Sequence, residues 1–304
     1  MNKKLAVAVL AWGLSAAAVA QQDGQYSQYM FNQLSINPAY AGSREVLAVS
    51  TLYRKQWIHI DGAPQTSTFT VQVPLRNKKV GLGFETFSDR LGPRQVDAAL
   101  FSYAYRIPLL NGNLAMGLRF GGYSYQIFWN KIKYRDQNDP YNHYTVEKKG
   151  VLTADFGLYY YSKSFYWGFS ATHLNRAELI SPDTLPAGRL VPHLYSPIGM
   201  GFQLSSGLVI NPSLLVKVVK GAPVDVDVNC NFLFNEKLWL GLSYRLSYGV
   251  VALMQWNITD HLKLGYGYDL GLNRIGTVGG ATHELMLGYD FSLKNPKTIS
   301  PRYL

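Results

Sequence analysis

The residues best placed to do chemistry in this 304-residue chain are six histidines, ten ionisable groups in alternating segments, and one cysteine. The histidines stand at 59, 143, 173, 193, 261 and 283, and none has metal-ligand spacing. His283-Glu284-Leu285-Met286-Leu287 lacks the second histidine of a zinc-protease helix. Gly265-Tyr266-Gly267 is a lone Gly-x-Gly inside an alternating segment, without the strand-to-helix setting of a dinucleotide fingerprint. Neither a G-x-S-x-G elbow nor a P-loop occurs, and Cys230 alone cannot build a disulfide framework or a paired-cysteine zinc site. A hydrolase would need an outward serine beside His283, which falls on an apolar face and is the one hint of such a site. The expectation is a protein with no catalytic residues, no metal and no cofactor.

The ionisable groups are more telling. Glu85, Arg106, Arg119, Asp155, Lys217, Arg245, Lys263, Asp269, Glu284 and Asp290 each fall, by parity, opposite the apolar face of their segment. Both signs occur, so they can pair across a filled interior. A porin constriction would instead segregate the signs across open water. Parity does not choose between the two, and the mixture leans slightly to a filled interior.

The segments that carry these charges alternate with period two. Leu238, Leu240, Leu242, Tyr244 and Leu246 share one face, and Trp239, Gly241, Ser243 and Arg245 the other. The same pattern recurs at 262–271 and 283–291, with Gly, Ser and charge on the second face each time. Fourteen strands are expected, at 45–57, 65–74, 79–89, 95–109, 112–128, 151–161, 165–173, 194–204, 208–219, 224–234, 238–246, 248–257, 262–272 and 282–291. Strands of about ten residues with one apolar face match a tilted membrane span. Beyond residue 20 no apolar run is long enough for a helical span, so only a closed barrel could cross a bilayer. Aromatic clusters at Tyr123–Trp129, Tyr159-Tyr160-Tyr161 and Phe165-Tyr166-Trp167 read as interface girdles. The fold expected is all-β, a transmembrane antiparallel barrel of about 14 strands in residues 45–291. Tight turns such as Ser162-Lys163-Ser164 and Asn235-Glu236-Lys237 alternate with longer segments at 129–150, 174–193 and 273–281. The short turns are expected on the periplasmic side.

Composition agrees. Only 16% of residues are charged, while 14% are aromatic, which excludes a disordered chain. Residues 1–20 have Lys3 and Lys4, an apolar stretch and Ala18-Val19-Ala20, the layout of a cleaved signal peptide. Cleavage would lower the net charge from +10 to +8, since Lys3 and Lys4 leave with it. That basic excess is spread through turns, so outer-membrane lipid or an acidic partner fits better than nucleic acid. Residues 292–304 form a C-terminal tail, and Cys230, level with Val228 and Phe232, reads as apolar filler facing lipid.

Residues 21–44 lack strand alternation yet hold Tyr26, Tyr29, Met30, Phe31 and Tyr40, too much apolar surface to hang in water. They are expected to form an N-terminal periplasmic arm, folded as a plug in the barrel mouth, or a docking surface for a partner. Tyr26, Gln28, Tyr29, Met30, Phe31, Asn32, Asn37, Pro38 and Tyr40 are its candidate contacts, with Arg54, Gln56 and Trp57 as clamps. Here the chain resembles the PorP/SprF family of type IX secretion membrane proteins of Bacteroidota. The resemblance rests on Gln25–Asn32 with Asn37-Pro38-Ala39-Tyr40-Ala41-Gly42, on Tyr53-Arg54-Lys55-Gln56-Trp57, and on Asp61-Gly62-Ala63-Pro64-Gln65-Thr66. Further likeness at Pro212–Lys217, Asn231–Asn235, Leu238–Arg245 and His283–Phe291 extends it over the mature chain. It implies a non-enzymatic outer-membrane component that assists secretion or surface attachment of large proteins such as gliding adhesins. The partners it implies are the periplasmic ring, peptidoglycan-associated components, and the C-terminal signal domain of a secreted protein. The alternative is a passive porin or solute channel.

Overall fold

The computed structural model describes residues 24–136, 146–178 and 189–291. The proposed signal peptide, the tail, and parts of two long loops lie outside these residues. Alternating sequence becomes alternating burial. Along Gly249–Asn257 residues are buried and exposed in strict turn, as the pleat requires when one face packs and the other meets a different solvent.

Fourteen antiparallel strands close on themselves. They are β1 (Leu47–Lys55), β2 (Gln65–Pro74), β3 (Val80–Leu91), β4 (Arg94–Leu109), β5 (Gly112–Phe128), β6 (Val146–Tyr161) and β7 (Phe165–Ala171). Then come β8 in two pieces (His193–Met200 and Phe202–Ser205), β9 (Leu208–Val219), β10 (Asp225–Phe234), β11 (Leu238–Arg245), β12 (Gly249–Asn257), β13 (Leu262–Gly271) and β14 (Thr282–Phe291). Each pairs with its sequence neighbours, and β1 pairs with β14 from Leu47↔Phe291 to Lys55↔His283, which leaves no edge. No helix among the described residues is long and apolar enough to cross a membrane; the strands do so instead.

The expected strands agree with these within a few residues, with three differences. β6 begins at Val146 rather than 151, because Glu147, Lys148 and Lys149 continue the pairing with β5 above the apolar band. β8 breaks at Gly201, and the register shifts between Leu208 and Val209. The aromatic clusters are split between faces: Tyr123, Tyr159, Tyr161 and Tyr166 are buried inside, while Trp167 points outward. Successive residues of a strand must point to opposite sides, so a run of aromatics cannot all join a girdle.

Both ends of the wall, the start of β1 and the finish of β14, lie at one end of the barrel, here called the near end. The near-end turns are short, spanning 75–79, 110–111, 162–164, 206–207, 235–237 and 258–261. At the far end the connections reach 56–64, 129–145, 172–192 and 272–281, although 92–93 and 246–248 are tight there too. The outward face is apolar, with Phe101 63% and Leu242 62% exposed, a band suited to lipid. The inward face holds Asp227, Asp269, Glu284, Thr66 and Ser170, all fully buried. What buries them is the N-terminal arm.

Candidate functional site, an arm laid through the lumen

Residues 24–44 run inside the barrel from the far end to the near end. Gly24 lies beside Thr66 at the far end of β2, and Arg44 pairs with Asp290 at the near end of β14. Three single 3-10 turns, Tyr29–Phe31, Gln33–Ser35 and Pro38–Tyr40, fold the arm across the lumen on the way. From Ser27 to Arg44 every residue but Ser35 is buried. The arm therefore traverses the lumen from one end to the other.

At the far end the anchor is ionic. The Ser27 and Gln28 backbone N–H groups donate to the Glu284 carboxylate at 2.9 and 2.7 Å. Arg54 on β1 donates to Glu284 Oε2 at 2.9 Å, to Asp269 Oδ2 at 2.7 Å and to Ser27 Oγ at 2.6 Å. The charges continue round the wall: Arg245 donates to Asp227 at 3.1 Å, and Lys217 reaches Asp227 at 3.0 Å and Asp225 at 2.8 Å. Arg245 also donates to Gln25 Oε1 at 3.3 Å and Tyr26 O at 3.4 Å. Burying such charges is tolerable because each meets an opposite charge and further hydrogen bonds.

The middle of the arm is held by a second cluster. Arg119 on β5 donates through Nε to Asp155 at 2.5 Å and through Nη1 to Glu85 at 3.1 Å. The same Nη1 donates to the main-chain oxygens of Leu34 and Ser35, each at 3.2 Å. Ser170 Oγ donates to Ile36 O at 2.5 Å. Asn37 accepts the Ala39 N–H at 2.9 Å, capping the Pro38–Tyr40 turn, and donates to Leu158 O at 2.8 Å. Near the exit Arg106 donates to Ala41 O, Gln72 accepts the Gly42 N–H at 3.0 Å, and Arg44 and Lys263 both pair with Asp290.

Glycines on the inner wall make room for this path. A Cβ added at Gly81 would collide with Ala41 O, at Gly117 with Ala39 N, at Gly157 with Asn37 Oδ1 and at Gly265 with Gln28 Oε1. Gly83 faces Leu34, and Gly168 faces Asn37 across the neighbouring strand. The Gly-x-Gly at 265–267 is thus a bare stretch of wall beneath Gln28.

The side chains singled out in the arm all point into this interior. Tyr26 Oη lies 3.0 Å from Thr68 Oγ1, and Tyr29 Oη accepts from Asn229 Nδ2 at 2.5 Å. Asn32 Oδ1 accepts from Thr70 at 3.4 Å. Phe31 meets Trp239 edge-on at 6.0 Å, and Tyr40 meets Tyr159 edge-on at 5.2 Å. Met30, Phe31 and Tyr40 also border a cavity of about 30 Å³ in the near half of the lumen, room for about two waters. Of the three clamps, Arg54 touches the arm. Gln56 and Trp57 lie in the β1–β2 loop instead, their N–H groups donating to Pro64 O at 2.9 Å and Thr282 Oγ1 at 3.3 Å.

Some participants were not singled out in the sequence. Asp227 carries the same parity signal as Asp269, standing between outward Val226 and Val228, and could have been found that way. Ser27, Gln72 and Ser170 have no signal beyond being polar on an inner face. The buried His173 and His193, with rings 6.0 Å apart, brace the middle cluster: the His173 N–H donates to Asp155 at 2.8 Å. His283 lies on the outer face, its Nδ1 2.7 Å from Tyr266 Oη, so its partner is a phenol. Among the described residues no group of His, Cys, Asp and Glu is placed to hold a metal ion.

Solved structures share the barrel shape only loosely. The Acinetobacter baumannii outer membrane protein Omp33 is 10% identical, with 82% of this chain and all of that one covered, at a TM-score of 0.48. A Pseudomonas aeruginosa FadL homologue is 10% identical over 92% of this chain and 97% of its own, at 0.47. Likenesses this distant say nothing about what the chain does. No curated protein matches the sequence. Residues 18–289, however, match the family described as type IX secretion system membrane protein PorP/SprF, a family of secretion-system components and not of enzymes. With that match spanning the arm and nearly the whole wall, the chain belongs to the PorP/SprF family and is an outer-membrane β-barrel.

Proposed function

We propose that this barrel assists secretion or cell-surface attachment of particular large proteins, such as gliding adhesins, by the type IX system. In this reading it binds the C-terminal signal domain of its substrate. At the near end, facing the periplasm, it meets the ring and peptidoglycan-associated parts of the machinery. Family membership over residues 18–289 carries the proposal. The occupied lumen supports it over a passive porin, because free diffusion of solutes needs a continuous water path and the arm crosses that path.

The test is a pull-down of the tagged, full-length protein from detergent-solubilised outer membrane. Recovery of a large secreted protein together with periplasmic ring components is the expected result. Recovery of lipid alone, with steady single-channel conductance of the purified protein in planar bilayers, would replace this reading by the porin.

A further inference from the structure

The outward face of the barrel differs from one side to the other. Around β11–β13 it stays apolar up to the far rim, where Leu246, Val250 and Leu270 are exposed. Across β3, β2, β1 and β14 it does not. There Arg90, Gln65, Lys55 and His283 stand opposite one another in register on four neighbouring strands. Their chain neighbours Asp89, Thr66, Arg54 and Glu284 are buried inside, so these four project outward. With strands about 4.8 Å apart the row is about 15 Å long, and Lys55 and Arg90 lie about 10 Å from each other.

Polarity then falls away in steps towards the near end. The next outward positions on β3, β2 and β1 are Ser88, Ser67 and Tyr53, each with a hydroxyl. One step further come Thr86, Phe69 and Thr51, with Leu287 beside them on β14. Both threonines turn their hydroxyls back to the wall, Thr51 donating to Thr68 O at 3.2 Å and Thr86 to Ala98 O at 2.8 Å. That leaves methyl groups, a phenyl ring and a leucine to face out. Cation and amide, then hydroxyl, then hydrocarbon follow one another over about 14 Å, the layering of a lipid from headgroup to acyl chain.

The cations of this row are open. The inner arginines Arg54, Arg119 and Arg245 are all matched by carboxylates. Among the described residues neither Lys55 nor Arg90 has such a partner. The outward carboxylate of the adjoining strand, Asp97 on β4, accepts instead from the Gln95 and Gln126 amides at 2.9 and 3.0 Å. His283 uses Nδ1 on Tyr266 and keeps Nε2 for another contact. A guanidinium and an ammonium at this spacing suit two phosphate groups, and the amide and hydroxyls between and below them suit sugar oxygens.

We infer that this row is a binding site for a phosphorylated, polyhydroxylated lipid headgroup in the leaflet at the far end. Lys55 and Arg90 hold its phosphates, Gln65, His283 and the hydroxyl row hold its other oxygens, and its acyl chains lie over Phe69 and Leu287. The site depends neither on the arm nor on the secretion reading, and the outcome of the pull-down does not bear on it.

Native mass spectrometry of the full-length protein in detergent, titrated with diphosphorylated lipid A or its phosphate-free form, tests the site. The phosphorylated lipid is expected to bind at least about tenfold more tightly. Lys55→Gln with Arg90→Gln should weaken its binding by at least about tenfold. Lys131→Gln with Lys133→Gln removes the same charge from exposed far-end positions outside the row, and should change it by less than about twofold. None of the four side chains is buried, so all variants should keep the compact band on unheated gels. Equal losses in the two double variants would show attraction by net charge alone and overturn the site, as would equal affinity for the two lipids. Inorganic phosphate in about tenfold excess over lipid A should leave the complex intact. Displacement by it would assign the row to the free anion and not to a lipid.

Discussion

Arg54 and Glu284 face each other in register across the seam between the first and last strands, joined at 2.9 Å. Both are buried, and Glu284 also receives the two backbone N–H groups of the arm. One ion pair therefore closes the wall and seats its contents.

Removing one side of such a pair leaves an uncompensated buried charge, which costs about 3–5 kcal/mol. Arg54→Ala is expected to lower the denaturation temperature of the folded barrel markedly, read by the loss of its compact band on unheated gels. Lys78→Ala, which removes an exposed pair with Glu45, should change stability by less than about 1 kcal/mol. Equal stability of the two variants would show that the seam does not depend on Arg54.

Filling the glycine path should open the barrel before it unfolds it. Gly157→Val drives a side chain into Asn37, and overpacking of this kind costs about 1–3 kcal/mol. The arm is the part free to yield, so planar bilayers should show new conductance from a barrel that still migrates as folded. Gly150→Ala, where the nearest atom to an added Cβ is 4.0 Å away, is the matched control and should stay silent.

Turn lengths orient the molecule. A cysteine replacing Arg274, in the far-end segment between β13 and β14, should react with a membrane-impermeant maleimide on intact cells. One replacing Lys163, in the near-end turn between β6 and β7, should react only after the outer membrane is breached. The reverse pattern would invert the barrel.

Cys230 lies on the outward face of β10, in line with Val228, which is 51% exposed. In lipid vesicles its thiol should resist charged reagents, because such reagents do not enter the hydrocarbon that covers this face. Denaturation should release full reactivity. Rapid labelling of the native protein would place this face in water.

Much of the wall was legible in the sequence, because a period of two converts each residue's type into a side of the sheet. Leu242 out and Arg245 in follow from that rule alone, and so do nine further charged residues on inner faces. Parity is silent about height and about partners. It could not say that Arg119 would hold Leu34 and Ser35, or that Gln56 and Trp57 would leave the arm for a loop. The path of the arm was least legible of all, since it has no periodicity and its contacts fall on residues up to 257 positions away. The inner tyrosines were misread for a related reason: composition identifies an interface residue only after its face is known.

The seam has a consequence for how the molecule is made. It joins residues 47–55 to 283–291, so the ring stays open until the last strand has been synthesised and exported. The arm, made before any strand, must wait for the final strand before it is enclosed. Pairings so distant in sequence are slow to form, and the exposed strands meanwhile are open to wrong partners. Thr68, Thr70 and Gln72 of β2 all meet the arm, so part of its seat is made well before the strand that closes the ring.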